Sequence, residues 1–403
     1  MEDDSSTRRQ VLRAGAVVAG AGALAGCIGG SDGDDESEDG ADGDGTPTDG
    51  TETPASSDGD DTPESTDGGE STPYSVTMES VGTVEFESIP ETWAANNGSW
   101  ADMGVALGQD PPETVYLSQR YHTQLYDEIP DLSVDQGEIG SLWEGGLDTE
   151  KFLALGEEVD VFVMDPNFIV NRSDAIEESD IEQIESTGTP FLGNSSFSRG
   201  YEWHDYQFLS LYDAFEKMAE LFQERERYEA FVDLHSTFQD NLEEIIPPED
   251  ERPSVAIMWP QPIGEPEKFS PYLIDEGTSF KQWRDLGVED AFATTDVADF
   301  HAGRARVDYE TLLEIDPDLV LLRGNEAKTA TEFEETVVSF MNNHDVASSL
   351  KAVQNGDVYR GGPLYQGPIT NMVLTERAAS QAYGVDEELF DRQRVADIVN
   401  GDF

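Results

Sequence analysis

Three histidines, His122, His204 and His301, stand among arginines and aromatic residues in a chain that otherwise carries little positive charge. Asn97 and Trp100 come first. Arg120, Tyr121 and His122 then follow the apolar run TVYLS, and Asn167 and Phe168 follow DVFVM. Trp203 and His204 precede two long helical stretches. Further on stand Trp259, Phe269 and Tyr272, then His301 and Arg304, Arg323 just after DLVLL, and Tyr365. Guanidinium groups hold anionic or electron-rich ligands through charge-assisted bonds, and aromatic rings cover flat ligand faces. Simpler roles compete: Trp259 and Phe269 as core, Arg120 and Arg304 as neutralisers of nearby carboxylates, His235 and His344 as surface residues. The three histidines could meet at a metal, but no spacing compels it and there is no His-rich loop. Catalysis has little footing. The chain shows no Gly-rich phosphate loop, no G-x-S-x-G elbow, and a single cysteine, Cys27.

A repeat indicates what positions these residues. DTEKFLALGEEVDVFVMDP, from Asp148, and DYETLLEIDPDLVLLRG, from Asp308, follow one pattern. Glu150 matches Glu310, Phe152 matches Leu312, Leu153 matches Leu313, and Leu155 matches Ile315. Each copy passes through an acidic turn into an apolar strand, with one extra residue in the first. Helix-to-strand alternation on both sides predicts α/β lobes with largely parallel sheets. Between them, YQFLSLYDAFEKMAELF and RYEAFVDLHSTFQDNLEEII keep a helical apolar period. The second predicts a helix of about 20 residues, or roughly 30 Å, ended by Pro247 and Pro248. The expected fold is two similar α/β lobes joined by a long interlobe helix: a first lobe over 74–203, linking helices over 204–248, and a second lobe over 249–403. In such sheets ligands bind beyond the carboxyl ends of the strands, so the residues above would face one another across a cleft.

The segments before residue 74 carry a different message. Lys and Arg number 23 against 86 Asp and Glu, a formal charge of −63. A chain so acidic repels itself at low salt, whereas at molar salt the Debye length falls to about 3 Å. The composition resembles that of proteins from extreme halophiles. Nucleic acid is excluded as a partner, since no basic patch exists to meet phosphates. Residues 28–73 are dominated by Ser, Thr, Asp, Glu, Gly and Pro and predict a disordered, self-repelling tether. Residues 1–27 read as an export signal: paired Arg8 and Arg9, a small-residue apolar run too short to span a membrane, then LAGC ending at Cys27. The arginine pair resembles a twin-arginine signal, and LAGC resembles a lipobox whose cysteine is lipidated.

The layout, with VDYETLLEIDPDLVLL, SLKAVQNGDVY and TEKFLALGEEVDVFV as its most telling phrases, resembles the substrate-binding lipoproteins of ABC importers that serve ferric siderophores, cobalamin and haem. The resemblance covers the folded part from about Val76 to Gly384. It departs in the first copy, which has Glu157 and Glu158 where Pro-Asp is usual. It implies a monomer with no intrinsic cofactor, binding an iron chelate or corrinoid between its lobes and delivering it to a permease and its ATPase at the outer membrane face. It also implies that Glu150 and Glu310 dock on permease arginines. Residue type and position around the strand ends make Asn97, Trp100, Arg120, Tyr121, His122, Phe168, Trp203, His204, Tyr272, His301, Arg304, Arg323 and Tyr365 the expected ligand contacts. A bare zinc, manganese or iron ion, or a lipid-anchored sensor feeding a signal transducer, are the alternative readings.

Overall fold

The computed structural model describes residues 72–403 apart from 144, 145, 174, 200, 202 and 298–304. The export signal, Cys27 and nearly all of the tether therefore lie outside the described residues, as do His301 and Arg304.

The chain enters through an antiparallel hairpin, β1 (Tyr74–Met78) and β2 (Gly82–Phe86). Tyr74 stacks on Phe86, and its hydroxyl donates to the Leu221 carbonyl on the Leu211–Phe222 helix. The first lobe is built on β3 (Trp93–Ala95), β4 (Thr114–Val115), β5 (Gly140–Ser141) and β6 (Val161–Val163). They are parallel, in the order β5-β4-β3-β6, and Phe191 adds a parallel bridge beside Phe162. The second lobe has β7 (Ser254–Gln261), β8 (Lys268–Tyr272), β9 (Glu289–Asp290), β10 (Leu319–Leu322) and β11 (Val358–Arg360). Its order is β11-β10-β7-β8, with β9 beside the start of β7, and β8 is antiparallel. β6 and β10 are buried along their whole length, as expected of strands covered on both faces.

The repeated unit is a real structural unit. Asp148 and Asp308 cap the Thr149–Leu155 and Tyr309–Ile315 helices, accepting from the Lys151 and Thr311 amides at 2.9 and 3.0 Å. At the far end, Asp160 accepts from the amides of Glu91 and Thr92, and Asp318 accepts from the Ser254 amide. Each aspartate thus pins the start of the central strand of its own sheet. Partial burial pushes both carboxyls up, but the hydrogen bonds outweigh it and hold them below the usual range. Because Asp160 is the partner of Asp318, the first copy carries two extra residues rather than one. The missing Pro-Asp is replaced by Val159-Asp160.

The long helix runs from Arg225 to Ile245 and buries Ala230, Phe231, Leu234, Phe238 and Leu242, one stripe at helical spacing. It is not the only tie between the lobes. The amides of Thr278 and Ser279 donate to the carbonyls of Ser196 and Phe197 at 3.0 and 3.2 Å, backbone to backbone. Gly277 permits this approach, since a Cβ there would lie 2.3 Å from the Phe197 carbonyl oxygen. The Pro368–Tyr383 helix, following β11, packs on the Gly98–Ala106 helix of the first lobe, and Arg392–Asn400 packs on that helix and on the long one. The closing segment assigned to the second lobe from sequence therefore bridges both, its first helix being buried on more than one side. One core runs without a break from the first lobe into the second.

At this junction Asp102, fully buried on the Gly98–Ala106 helix, accepts from the Ile369 and Thr370 amides at 3.0 and 3.2 Å. It also accepts from the Thr370 hydroxyl at 3.2 Å and the Tyr126 hydroxyl at 2.7 Å. A carboxylate from one lobe thus closes the N-terminus of a helix that follows the other.

Candidate functional site

Five of the residues singled out from sequence meet between the lobes. Arg323, the residue after β10, continues the ladder with its amide on the Met258 carbonyl at 2.9 Å. Its guanidinium carbon lies 4.6 Å from the ring centre of Tyr272, 5.5 Å from Phe280 and 5.7 Å from Trp259. From the first lobe, Arg120 reaches over the same Trp259 at 5.2 Å. His122 stands beside both arginines. Burial first, then Arg323 and Arg120, push its pKa down to about 4, so near neutral pH the imidazole is uncharged. Arg323 is only 3% exposed, yet its Nε and Nη1 have no hydrogen-bond partner. Leaving a buried donor unmet costs about 1–3 kcal/mol, which an acceptor on a ligand would recover.

An aromatic cluster also links the two lobes. Phe168 meets Tyr116 edge-on at 5.6 Å and Phe197 at the same distance. Phe197 meets Tyr365 of the second lobe at 5.5 Å. Trp203 stacks on Tyr201 at 5.0 Å. Tyr116, Phe197, Tyr201 and Phe280 escaped the sequence reading, although Tyr116 directly follows a strand, the same position that marked Arg323. His204 lies at 4.0 Å from both Tyr206 and Phe208, and neither ring nitrogen has a partner. Burial, then Arg199, push it down to about 4.

Other expected contacts are spent inside the protein. Trp100 is fully buried within its helix. Asn97 caps that helix, its Oδ1 accepting from the Ser99 amide and its Nδ2 donating to Asn96, both at 2.9 Å. The Tyr121 hydroxyl pairs with that of Tyr126 at 2.7 Å, joining the chain that ends on Asp102. Asn167 turns back on Asp165, and Phe269 is core whereas Trp259 is half-buried. His235 is no surface residue: its ring lies tilted against Tyr212 at 4.2 Å, 3.1 Å from Gln239 and 3.5 Å from Lys281. His344 accepts the amides of Val346 and Ala347. Among the described residues no three His, Cys, Asp or Glu side chains gather as a metal site.

Glu150 and Glu310 are both exposed in the first turn of their helices. Each helix leads into a parallel strand, so its N-terminus lies on the side of the sheet where strands end. The two carboxylates thus stand at the same edge of their sheets, the one beyond which the strands end.

No described helix is long and apolar enough to cross a membrane. Among curated protein sequences none matches this chain. Solved structures share the fold at low identity. A periplasmic binding protein from Veillonella parvula is 17% identical, with a TM-score of 0.52 over 79% of this chain and 100% of that one. The petrobactin-binding protein YclQ of Bacillus subtilis is 15% identical, with a TM-score of 0.52 over 77% and 99%. The haem-binding protein HmuT is 16% identical, with a TM-score of 0.51 over 80% and 94%. Residues 160–364, more than half of the chain and including the long helix, Trp259 and Arg323, match the family described as periplasmic binding protein. The chain belongs to that family, whose members are extracytoplasmic substrate-binding proteins of transport rather than enzymes.

Proposed function

We propose that the protein captures an iron chelate, with haem or a corrinoid as the nearest alternatives, between its lobes and hands it to an ABC importer. The observation that carries this reading is Arg323. A buried guanidinium with two unmet donors lies beneath three aromatic rings, with a second arginine contributed from the opposite lobe. Such a floor suits an anionic, flat-faced ligand. The neighbouring structures that bind petrobactin and haem lend the ligand class support. Bare metal is less favoured, because His122 stands between two cations that oppose a third.

In this reading Cys27 carries the lipid, Arg8 and Arg9 mark the exported precursor, and the acidic segment holds a monomer off the membrane of a salt-loving cell. Glu150 and Glu310 dock on permease arginines. A carboxylate accepts two parallel bonds from a guanidinium, and one contact per lobe would let the permease sense lobe separation.

The test is tryptophan fluorescence of the tether-free chain in molar salt, titrated with ferric hydroxamates, ferric catecholates, haem, cobalamin, and free iron or zinc. Saturable quenching by a chelate, haem or a corrinoid is expected, lost on Arg323→Met. Response to bare metal alone, or to nothing in a folded sample, overturns the reading.

A further inference from the structure

The loop after β10 holds more than a cation. Within four residues it buries Arg323, Asn325 and Glu326, at 3%, 0% and 8% exposure. Arg323 leaves Nε and Nη1 unmet, Asn325 leaves its Oδ1, and Glu326 leaves its Oε1. Donors and acceptors thus lie side by side, each without a partner. They do not simply pair with one another, since the ion pairs among the described residues do not include Arg323 with Glu326. The two charges still act on each other. Burial raises the Glu326 carboxyl overall, with Arg323, the loop amides and Arg360 only partly drawing it back down. Arg360 is itself turned to the Lys328 carbonyl.

The first lobe closes over this loop. Gln124 Nε2 donates to the Glu326 carbonyl at 3.3 Å, two residues beyond His122. A ligand group reaching Arg323 at this loop would therefore meet both signs at once. A group with acceptors alone, such as the propionates of haem, satisfies Arg323 and leaves the Glu326 and Asn325 oxygens desolvated and unmet. A group that adds an N–H or O–H donor satisfies all three.

Resting on the chelate-binding reading above, we propose that Glu326, supported by Asn325, is a specificity-determining acceptor. It selects chelates whose organic arm carries a protonated amine or a comparable donor. The arginines provide attraction for the anionic part, and Glu326 reads what is attached to it. Ionised partners make the stronger hydrogen bonds, so an ammonium arm gains most.

The experiment uses the tether-free chain in molar salt and three probes. These are ferric desferrioxamine B, which ends in a free ammonium group, the same chelate N-acetylated, and haem. In the native protein the ammonium chelate is expected to bind about tenfold or more tighter than the acetylated one. In Glu326→Gln, which keeps the shape and removes the charge, that ratio is expected to fall to about twofold or less. Equal affinities for the two chelates in the native protein overturn the proposal without any variant. So does a preference that survives in Glu326→Gln, or binding of haem with neither chelate bound. Silence towards all three, and towards cobalamin and the catecholates as well, overturns the chelate reading itself, and this inference falls with it.

Discussion

Replacing Asp102 separates two opposing energies at the lobe junction. Its carboxylate is fully buried and meets four donors, the Ile369 and Thr370 amides and the Thr370 and Tyr126 hydroxyls. In Asp102→Ala the hydroxyls can re-aim, Tyr126 towards Tyr121, but the two amides cannot. At about 1–3 kcal/mol for each of the two stranded amides, a loss of about 2–6 kcal/mol follows. Asp102→Asn keeps an acceptor for both amides and removes the charge, and the Tyr126 hydroxyl can accept from the new Nδ2. The charge is itself costly. Burial raises the Asp102 carboxyl to about 6, with the Tyr126, Thr370 and Ile369 hydrogen bonds only partly opposing.

Two pKa units correspond to about 3 kcal/mol. The folded protein binds this proton more readily than the unfolded chain, so the group's contribution to stability falls as pH rises from about 4 to about 6 and stays low above that. The asparagine variant lacks this fall. Thermal unfolding at pH 5 and pH 8 in molar KCl should therefore show it gaining on the native protein by about 1–2 kcal/mol at the higher pH. His122, His204 and His235, all pushed down to about 4, titrate in the opposite sense. They are common to both proteins and cancel in the difference. Parallel stability curves for native protein and Asp102→Asn, or an alanine variant within about 1 kcal/mol of native, would refute the reasoning.

Gly277→Ala places a methyl 2.3 Å from the Phe197 carbonyl oxygen, so the Thr278 and Ser279 amides must lift off the first lobe. A loss of about 1–3 kcal/mol is expected by thermal unfolding, with ligand affinity falling as well because the lobes no longer hold their spacing. An unchanged melting temperature would mean that the splice contributes nothing. Reversing charge at both Glu150 and Glu310 is expected to abolish uptake in cells while leaving ligand affinity and melting temperature unchanged. Normal uptake in that variant removes the docking role.

The architecture was legible wherever a single period ran long enough. The Arg225–Ile245 helix could be read from its buried stripe, and β6 and β10 from short apolar runs beside capped helices. Two-residue strands such as β5 and β9 carry no period at all, and β8, KFSPY, contains a proline that argues against a strand. The stretch after Arg120 turns through short 3-10 helices, since its contacts come from the other lobe and the second-lobe helix more than from local propensity. Among the residues that type and position around strands singled out, Arg120, His122, Trp259, Tyr272 and Arg323 stand together between the lobes. The same rule also named Asn97, Trp100 and Tyr121, because being near a strand end does not say whether a side chain turns towards the cleft or the interior.

That difference is decided by contacts distant in sequence. Tyr121 and His122 are neighbours on one loop. The Tyr121 hydroxyl is drawn inwards to Tyr126 and so to Asp102, which holds a helix beginning at Ile369 and Thr370. His122 is left facing the arginines. The junction that fixes lobe spacing and the cleft that faces the ligand are therefore adjacent residues of the same loop. A lobe motion wide enough to break Asp102 from its helix would also displace His122 and Arg120 from Arg323. The backbone splice at Ser196 and Phe197 and the core shared by both lobes oppose such a motion in the same way.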